Sequence, residues 1–244
     1  MKVKERYEEF EAAPFSGIVY IPGYVDVPTL HPTIYLLGSE ERELCEIVRI
    51  LKKESFWKER EPVLVGIYPG NWNEDYSPFP APALSSGQPA FGSNAGSYLA
   101  ALTQTLVPVI EGMAPVLPLS DQRYLVGYSL AGLCALYGAY VSDAFAGYGA
   151  VSPSLWLEGW MEYAGSFPLH RHTEKLYLSL GNKESRTKNP RMARVGDCFV
   201  SASSYYTSLL GPERFRSELN HGNHFHEPEA RLAKAIAFLL SPLP

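Results

Sequence analysis

A single serine set among small residues at the end of an apolar run is the strongest chemical signal in this chain. Gly127-Tyr128-Ser129-Leu130-Ala131-Gly132 follows Tyr124-Leu125-Val126 and continues into Leu133-Cys134-Ala135-Leu136-Tyr137. The pattern reads as strand, sharp turn, helix, a setting that holds a serine hydroxyl exposed on strained backbone at the top of a sheet. Gly127 and Ala131 stand two residues before and two after the serine. Strand and helix come closest there, and large side chains would collide. Ala131 takes the place of the second glycine in G-x-S-x-G. Leu130 is expected to offer a backbone N–H to a developing oxyanion, because a helix leaves its first N–H groups unpaired. Ser129 as the plain N-cap of a buried helix is the simpler alternative, and the motif alone does not separate the two.

A serine hydroxyl is a weak nucleophile until a base accepts its proton. Of the six histidines, His31 precedes a strand at the far end from Ser129, and His170 and His172 lie in a loop before a strand begins. His221, His224 and His226 cluster just after the apolar run at Phe215–Leu219. If the sheet is parallel, a loop after that strand reaches the same rim as Ser129. Gly222-Asn223 permits a tight turn that points the next side chain inward, so His224 is the expected base, ahead of His226 and His221. The H-x2-H-x-H spacing also resembles a zinc site, but no acidic or Cys/His group stands out beside it, so no metal is expected. The base in turn needs a carboxylate to fix its tautomer. Glu184, in Gly181-Asn182-Lys183-Glu184 after the run Leu176–Leu180, meets that need. Asp197 is the runner-up, more simply explained as a helix N-terminal acid. The order Ser129, Glu184, His224 matches the Ser…Asp/Glu…His order known for one fold class of hydrolytic enzymes.

The elements that must position these residues alternate. Strands are expected at Ile18–Ile21, Pro32–Leu37, Pro62–Tyr68, 123–127, 147–151, Leu176–Leu180 and Phe215–Leu219. Helices are expected after Gly38, where Leu44, Ile47, Val48 and Leu51 recur at helical spacing, and near 95–111, 130–137, 195–210 and 229–240. This alternation gives an α/β class with a mostly parallel sheet. Residues 1–16 read as a polar lead-in or edge strand. Residues 69–97 carry Trp72, Tyr76, Phe79 and Phe91 with little periodicity, and read as an aromatic-rich loop walling a pocket. No repeat or linker divides residues 1–244, so one domain is expected.

At 244 residues, with 46% hydrophobic and 19% charged residues, the chain can bury a sizeable core. A net charge of −5 without a basic block gives a nucleic-acid partner no electrostatic support. The charged N-terminus does not read as a signal peptide, and no run reaches the ~18 apolar residues of a membrane helix. Three widely spaced cysteines suit buried thiols, and a cytoplasmic location is expected. The sequence sets no oligomeric state.

Taken together, these residues resemble the Putative esterase branch of the α/β-hydrolase superfamily, which includes siderophore (trilactone) esterases. The resemblance runs from about residue 17 onward. It is carried by the serine turn, by Ser152-Pro153-Ser154-Leu155-Trp156, by Gly181-Asn182-Lys183-Glu184 and by Gly222-Asn223-His224-Phe225. It implies an α/β-hydrolase fold with helices on both sheet faces, with Ser129 as nucleophile, Glu184 as acid, His224 as base and a second oxyanion N–H near Ser39. The implied reaction is cleavage of a small-molecule carboxylic ester through an acyl-enzyme, without a cofactor. Trp72, Tyr128 and Trp156 are candidate substrate walls. Arg186, Lys188 and Arg191 read as a solvated basic face, with selection of an anionic substrate as the alternative. A non-catalytic binding protein on the same fold, or an acyltransferase with the same three residues, are the rival readings.

Overall fold

The computed structural model describes residues 2–25 and 29–242. Its frame is one eight-stranded sheet in the order β2-β3-β6-β5-β7-β8-β9-β10. The strands are β2 (Arg6–Ala12), β3 (Phe15–Ile21), β5 (Thr33–Leu37), β6 (Val63–Ile67), β7 (Arg123–Tyr128), β8 (Gly147–Val151), β9 (Lys175–Gly181) and β10 (Phe215–Asn220). Strands β1 (Lys2–Val3) and β4 (Tyr24–Val25) form a separate two-stranded ribbon. From β6 to β10 all pairings are parallel, whereas β2–β3 and β3–β6 are antiparallel. The polar lead-in is therefore an edge strand, with charged residues facing solvent at alternate positions of β2. The central strands β5, β6 and β8 are buried along their whole length, as expected of parallel strands covered on both faces.

Helices α1 (Glu41–Leu51) and α9 (Pro228–Leu240) cover one face. There Leu44, Ile47 and Val48 of α1 and Ile236 and Leu239 of α9 pack on Ile34, Leu36 and Val126. The other face carries α3 (Ala95–Ala101), α4 (Val107–Met113), α5 (Ser129–Val141), α6 (Trp160–Ser166) and α8 (Val195–Arg214), and its core includes Tyr35, Leu125, Leu133 and Phe199. The single helix expected near 95–111 is α3 and α4 joined through a π-helical stretch at Leu102–Leu106. Pro108 lacks the N–H for a regular i→i−4 bond, and the widened turn accommodates it. Two four-residue helices, α2 (Trp72–Asp75) and α7 (Pro190–Ala193), and the seven-residue α6 were not expected, because so few residues do not show a helical period. Helix α8 breaks at Gly211, which adopts φ 73°. Among the described residues no helix is long and apolar enough to cross a membrane.

Strand β6 lies on one side of β5 and β7 on the other, so the chain reverses its direction of growth between β5 and β7. In an open α/β sheet ligands bind in the crevice at the carboxyl ends of the strands flanking such a point. Ser129 follows β7 and Gly38-Ser39 follow β5, both at this crevice.

The turn from β7 to α5 depends on one backbone approach. A Cβ on Gly127 would sit 2.3 Å from the Ala131 carbonyl oxygen, and one on Gly132 would sit 2.9 Å from that of Gly127 and 3.0 Å from that of Val151. The second small residue that this turn requires is thus Gly132 as well as Ala131. Gly127→Ala should cost about 1–3 kcal/mol by forcing backbone apart, read as a lower urea midpoint at unchanged m-value.

Candidate active site

Ser129 follows β7 directly and begins α5 with φ 59°, a left-handed conformation rare outside glycine. Its carbonyl accepts a hydrogen bond from the Ser154 N–H at 3.1 Å, so the inverted peptide does not leave a buried orphan. Leu130, the next residue, is buried, and as the second residue of α5 its N–H has no acceptor four residues back within the helix.

His224 reaches Ser129 from the loop after β10. The start of that loop is tied down by the neighbouring loop after β9. Asn182 N–H donates to Asn220 O at 2.8 Å, Gly222 N–H to Asn182 Oδ1 at 3.1 Å, and Lys183 N–H to Gly222 O at 3.0 Å. Gly222 turns with φ 99°, and a Cβ there would lie 2.5 Å from the His226 side chain. Asn223 Oδ1 accepts the Phe225 N–H at 3.0 Å, an Asx turn that throws the intervening His224 ring inward. The Tyr128 hydroxyl donates to the His224 carbonyl at 2.6 Å.

The ring of His224 is engaged at both nitrogens. Nδ1 lies 2.7 Å from Glu184 Oε2 and Nε2 lies 3.0 Å from Ser129 Oγ. The carboxylate can only accept, so Nδ1 carries the proton and Nε2 is left to accept from the serine. Glu184 is buried, with its Oε1 accepting from Gly181 N–H at 2.6 Å, Ser152 Oγ at 2.8 Å and Arg231 Nη1 at 2.9 Å. Burial pushes the Glu184 carboxyl up, and the hydrogen bonds from His224, Ser152 and Gly181 outweigh it, leaving it below its ordinary 4.5.

The structure thus brings together Ser129, His224 and Glu184 from three loops, all at the carboxyl ends of parallel strands. His221 and His226 face each other instead, with Nδ1 and Nε2 3.5 Å apart. Because both nitrogens of His224 are engaged, it is not free to complete a metal site with them. Asp197 lies in the first turn of α8, and the His224 contact belongs to Glu184. Ser39 needs a correction. Its N–H donates to the Ile67 carbonyl at 2.9 Å, continuing the β5–β6 ladder, so that N–H is not available to an oxyanion.

Two chambers meet at Ser129 and His224. One, of about 200 Å³, runs past Ser152, Trp156, Lys183, Arg186 and Met192. The other, of about 320 Å³, is bounded by Leu37, Ser39, Glu43, Trp72, Tyr128 and Leu232. Burial pushes the Glu43 carboxyl up from its ordinary value. All three expected wall residues therefore line a chamber, Trp72 and Tyr128 on one side and Trp156 on the other. Phe225 borders both and is 85% exposed. Within 69–97, Tyr76 and Phe91 turn into the core and Trp72 faces the chamber. Of the basic residues after Glu184, Arg186 lines the smaller chamber. Arg191 straps the 69–97 segment by donating to Pro82 O at 2.8 Å and Ala83 O at 3.0 Å, and Lys188 is exposed.

Sequence reasoning missed two participants, Ser152 and Arg231. Ser152 sits within the Ser-Pro-Ser-x-Trp segment at φ 46°, a signal visible only as a motif without a role. Arg231 is one charge on an amphipathic helix and carried no signal.

A mostly parallel, helix-covered sheet with a strained serine after a central strand and a histidine and carboxylate on later loops is the α/β-hydrolase fold. A model of the Putative esterase family matches residues 15–207, and the chain belongs to that family. It is 32% identical over 141 residues to the uncharacterized protein YbbA of Bacillus subtilis (strain 168), a match covering 57% of this chain and 56% of that protein. It also resembles an IroE-like serine hydrolase from Shewanella oneidensis, at TM-score 0.74 and 19% identity over 97% of this chain and 80% of that one. The siderophore hydrolase EstA from Aspergillus nidulans superposes with TM-score 0.69 at 18% identity, covering 97% and 94% of the two chains.

Because the Glu184 carboxyl is held below its unfolded value, the unfolded chain binds more protons as pH falls below about 4.5. This contribution to stability is present above that pH and is lost as pH falls through the folded value. Urea midpoints measured from pH 6 down to pH 3 should fall with acidity in the wild type and fall less steeply in Glu184→Gln.

Proposed function

We propose that this chain is a carboxylic ester hydrolase in which Ser129 is the nucleophile, His224 the general base and acid, and Glu184 the carboxylate that orients and charges the histidine. The observation that carries this reading is the unbroken chain Ser129 Oγ–His224–Glu184, 3.0 Å and 2.7 Å long, ending on a serine held in a left-handed conformation. Family membership and the serine hydrolases among the structural neighbours support it independently.

In this mechanism His224 Nε2 takes the Ser129 proton as Oγ attacks the ester carbonyl carbon. Glu184 stabilises the imidazolium that forms. The Leu130 N–H donates to the carbonyl oxygen as it gains charge, and one such donor contributes about 2.7–4 kcal/mol to the transition state. The imidazolium then protonates the departing alkoxide, leaving an acyl group on Ser129. Water, deprotonated by the same histidine, releases the acid and restores the serine.

Two chambers on either side of Ser129 suit an ester with an arm on each side of the scissile bond. Lys183 and Arg186 favour a polar or anionic arm in the smaller one, and Trp72, Leu37 and Leu232 favour an apolar arm in the larger. The substrate is accordingly a small-molecule ester. The siderophore hydrolases among the neighbours act on one such class.

Against a series of p-nitrophenyl esters, Ser129→Ala should lower kcat/KM by about 10⁴-fold or more. The same variant should lose labelling by a fluorophosphonate probe, and wild-type activity should survive a metal chelator. Equal rates in wild type and variant would remove Ser129 as the nucleophile.

A further inference from the structure

A cation at the junction of the acid and histidine loops has no part in the proton transfers just described. Arg231 is the fourth residue of α9 and is 2% exposed, although its helix neighbour Lys234 points to solvent. Its guanidinium lies where four separate elements converge. Nη1 lies 2.9 Å from Glu184 Oε1, 3.0 Å from Ser152 Oγ and 3.2 Å from the Tyr128 hydroxyl. Nη2 donates to the carbonyls of His221 and Asn223, each at 2.9 Å.

These acceptors belong to opposite sides of one reacting group. Glu184 and Ser152 set the position of the carboxylate, whereas the carbonyls of His221 and Asn223 bracket the turn that presents His224. The Tyr128 hydroxyl, held by the same Nη1, donates in turn to the carbonyl of His224 itself. The two N–H groups of Nη1 are shared among Glu184, Ser152 and Tyr128 while the two of Nη2 meet the two carbonyls, so the planar fork spans both loops at fixed angles, which the compact ammonium of a lysine does not. The guanidinium also balances a buried carboxylate that would otherwise stand against a neutral imidazole in the resting state.

We propose that Arg231 is a positioning residue for the reaction, a buried clamp that sets the distance between Glu184 and His224 by holding the acid loop and the histidine loop on one guanidinium. The proposal rests on the assignment of Ser129, His224 and Glu184 above. Displacements of about 1 Å at a reacting centre cost on the order of 10²-fold in rate. Arg231→Gln should therefore lower kcat about 10²-fold with KM changed by no more than about threefold, because Arg231 itself lines neither chamber. Arg231→Lys keeps the charge beside Glu184 but not the fork, and should fall between the two.

The experiment is steady-state kinetics of wild type, Arg231→Lys and Arg231→Gln. Each is normalised to the serine sites titrated to completion by a fluorophosphonate, so that unfolded protein does not enter kcat. The downfield proton NMR signal of His224 Nδ1–H, which reports the 2.7 Å bond to Glu184 without needing turnover, is recorded beside it. Loss of kcat per titrated site together with weakening or upfield movement of that signal supports the clamp. A normal kcat per site and an unchanged signal, with only a lower melting temperature, would overturn it and leave Arg231 a purely structural ion-pair partner. If Arg231→Gln does not fold, the same two readouts on Arg231→Lys decide, and wild-type values there overturn the proposal. An inactive wild type would instead sink the hydrolase reading, and the NMR comparison would still judge the clamp.

Discussion

A carboxylate buried at the meeting point of several chain segments is the constraint around which this structure is organised. Removing an ionised carboxylate from water costs several kcal/mol even after relaxation, roughly, unless charge and hydrogen bonds compensate it. Glu184 is compensated at both oxygens, by a backbone N–H at the end of β9, by the Ser152 hydroxyl after β8, by Arg231 on α9 and by His224 after β10. Each donor comes from a different element. Satisfying this one charge fixes how the loops at the rim of the sheet stand relative to one another.

The serine turn solves a different problem with different means. It stores strain at a single residue, Ser129, and maintains it by an approach so close that Gly127 and Gly132 admit no side chain. The Ser154 N–H closes the remaining valence of that turn, and the same short segment supplies Ser152 to the carboxylate and Trp156 to the smaller chamber. The Ser-Pro-Ser-x-Trp segment is therefore the physical link between the strained serine and the buried acid. Either half alone would leave the imidazole without one of its two partners.

On either side of this centre the walls differ in character. The larger chamber is built from strand and helix side chains already needed for packing, such as Leu37 and Leu232, and is closed by Trp72 from the 69–97 segment. The smaller one is built mostly from loops that follow β8, β9 and β10, with Met192 of α7 and Val195 of α8, and carries the exposed Lys183 and Arg186. Loops vary more freely than the sheet beneath them, so the smaller chamber is where related chains on this fold can differ in what they accept.

Much of this was legible in the sequence, and for a definable reason. Strand and helix periodicities are local, and in a parallel sheet they also say which loops share a rim. The serine turn, the acid after Leu176–Leu180 and the histidine after Phe215–Leu219 could therefore be put on one side of the molecule before any contact was known. Gly222-Asn223 even distinguished His224 from its two neighbours, because turn chemistry is written in adjacent residues. What only the tertiary structure decided are pairings between distant residues. The Ser39 N–H is consumed by Ile67, which lies across a strand pairing that no local pattern specifies. Arg231 is buried because its guanidinium reaches back to the histidine loop that precedes α9 and meets a carboxylate 47 positions away. In sequence it is one more charge on an amphipathic helix, and its role exists only where separate segments converge on a charge that must not be left bare.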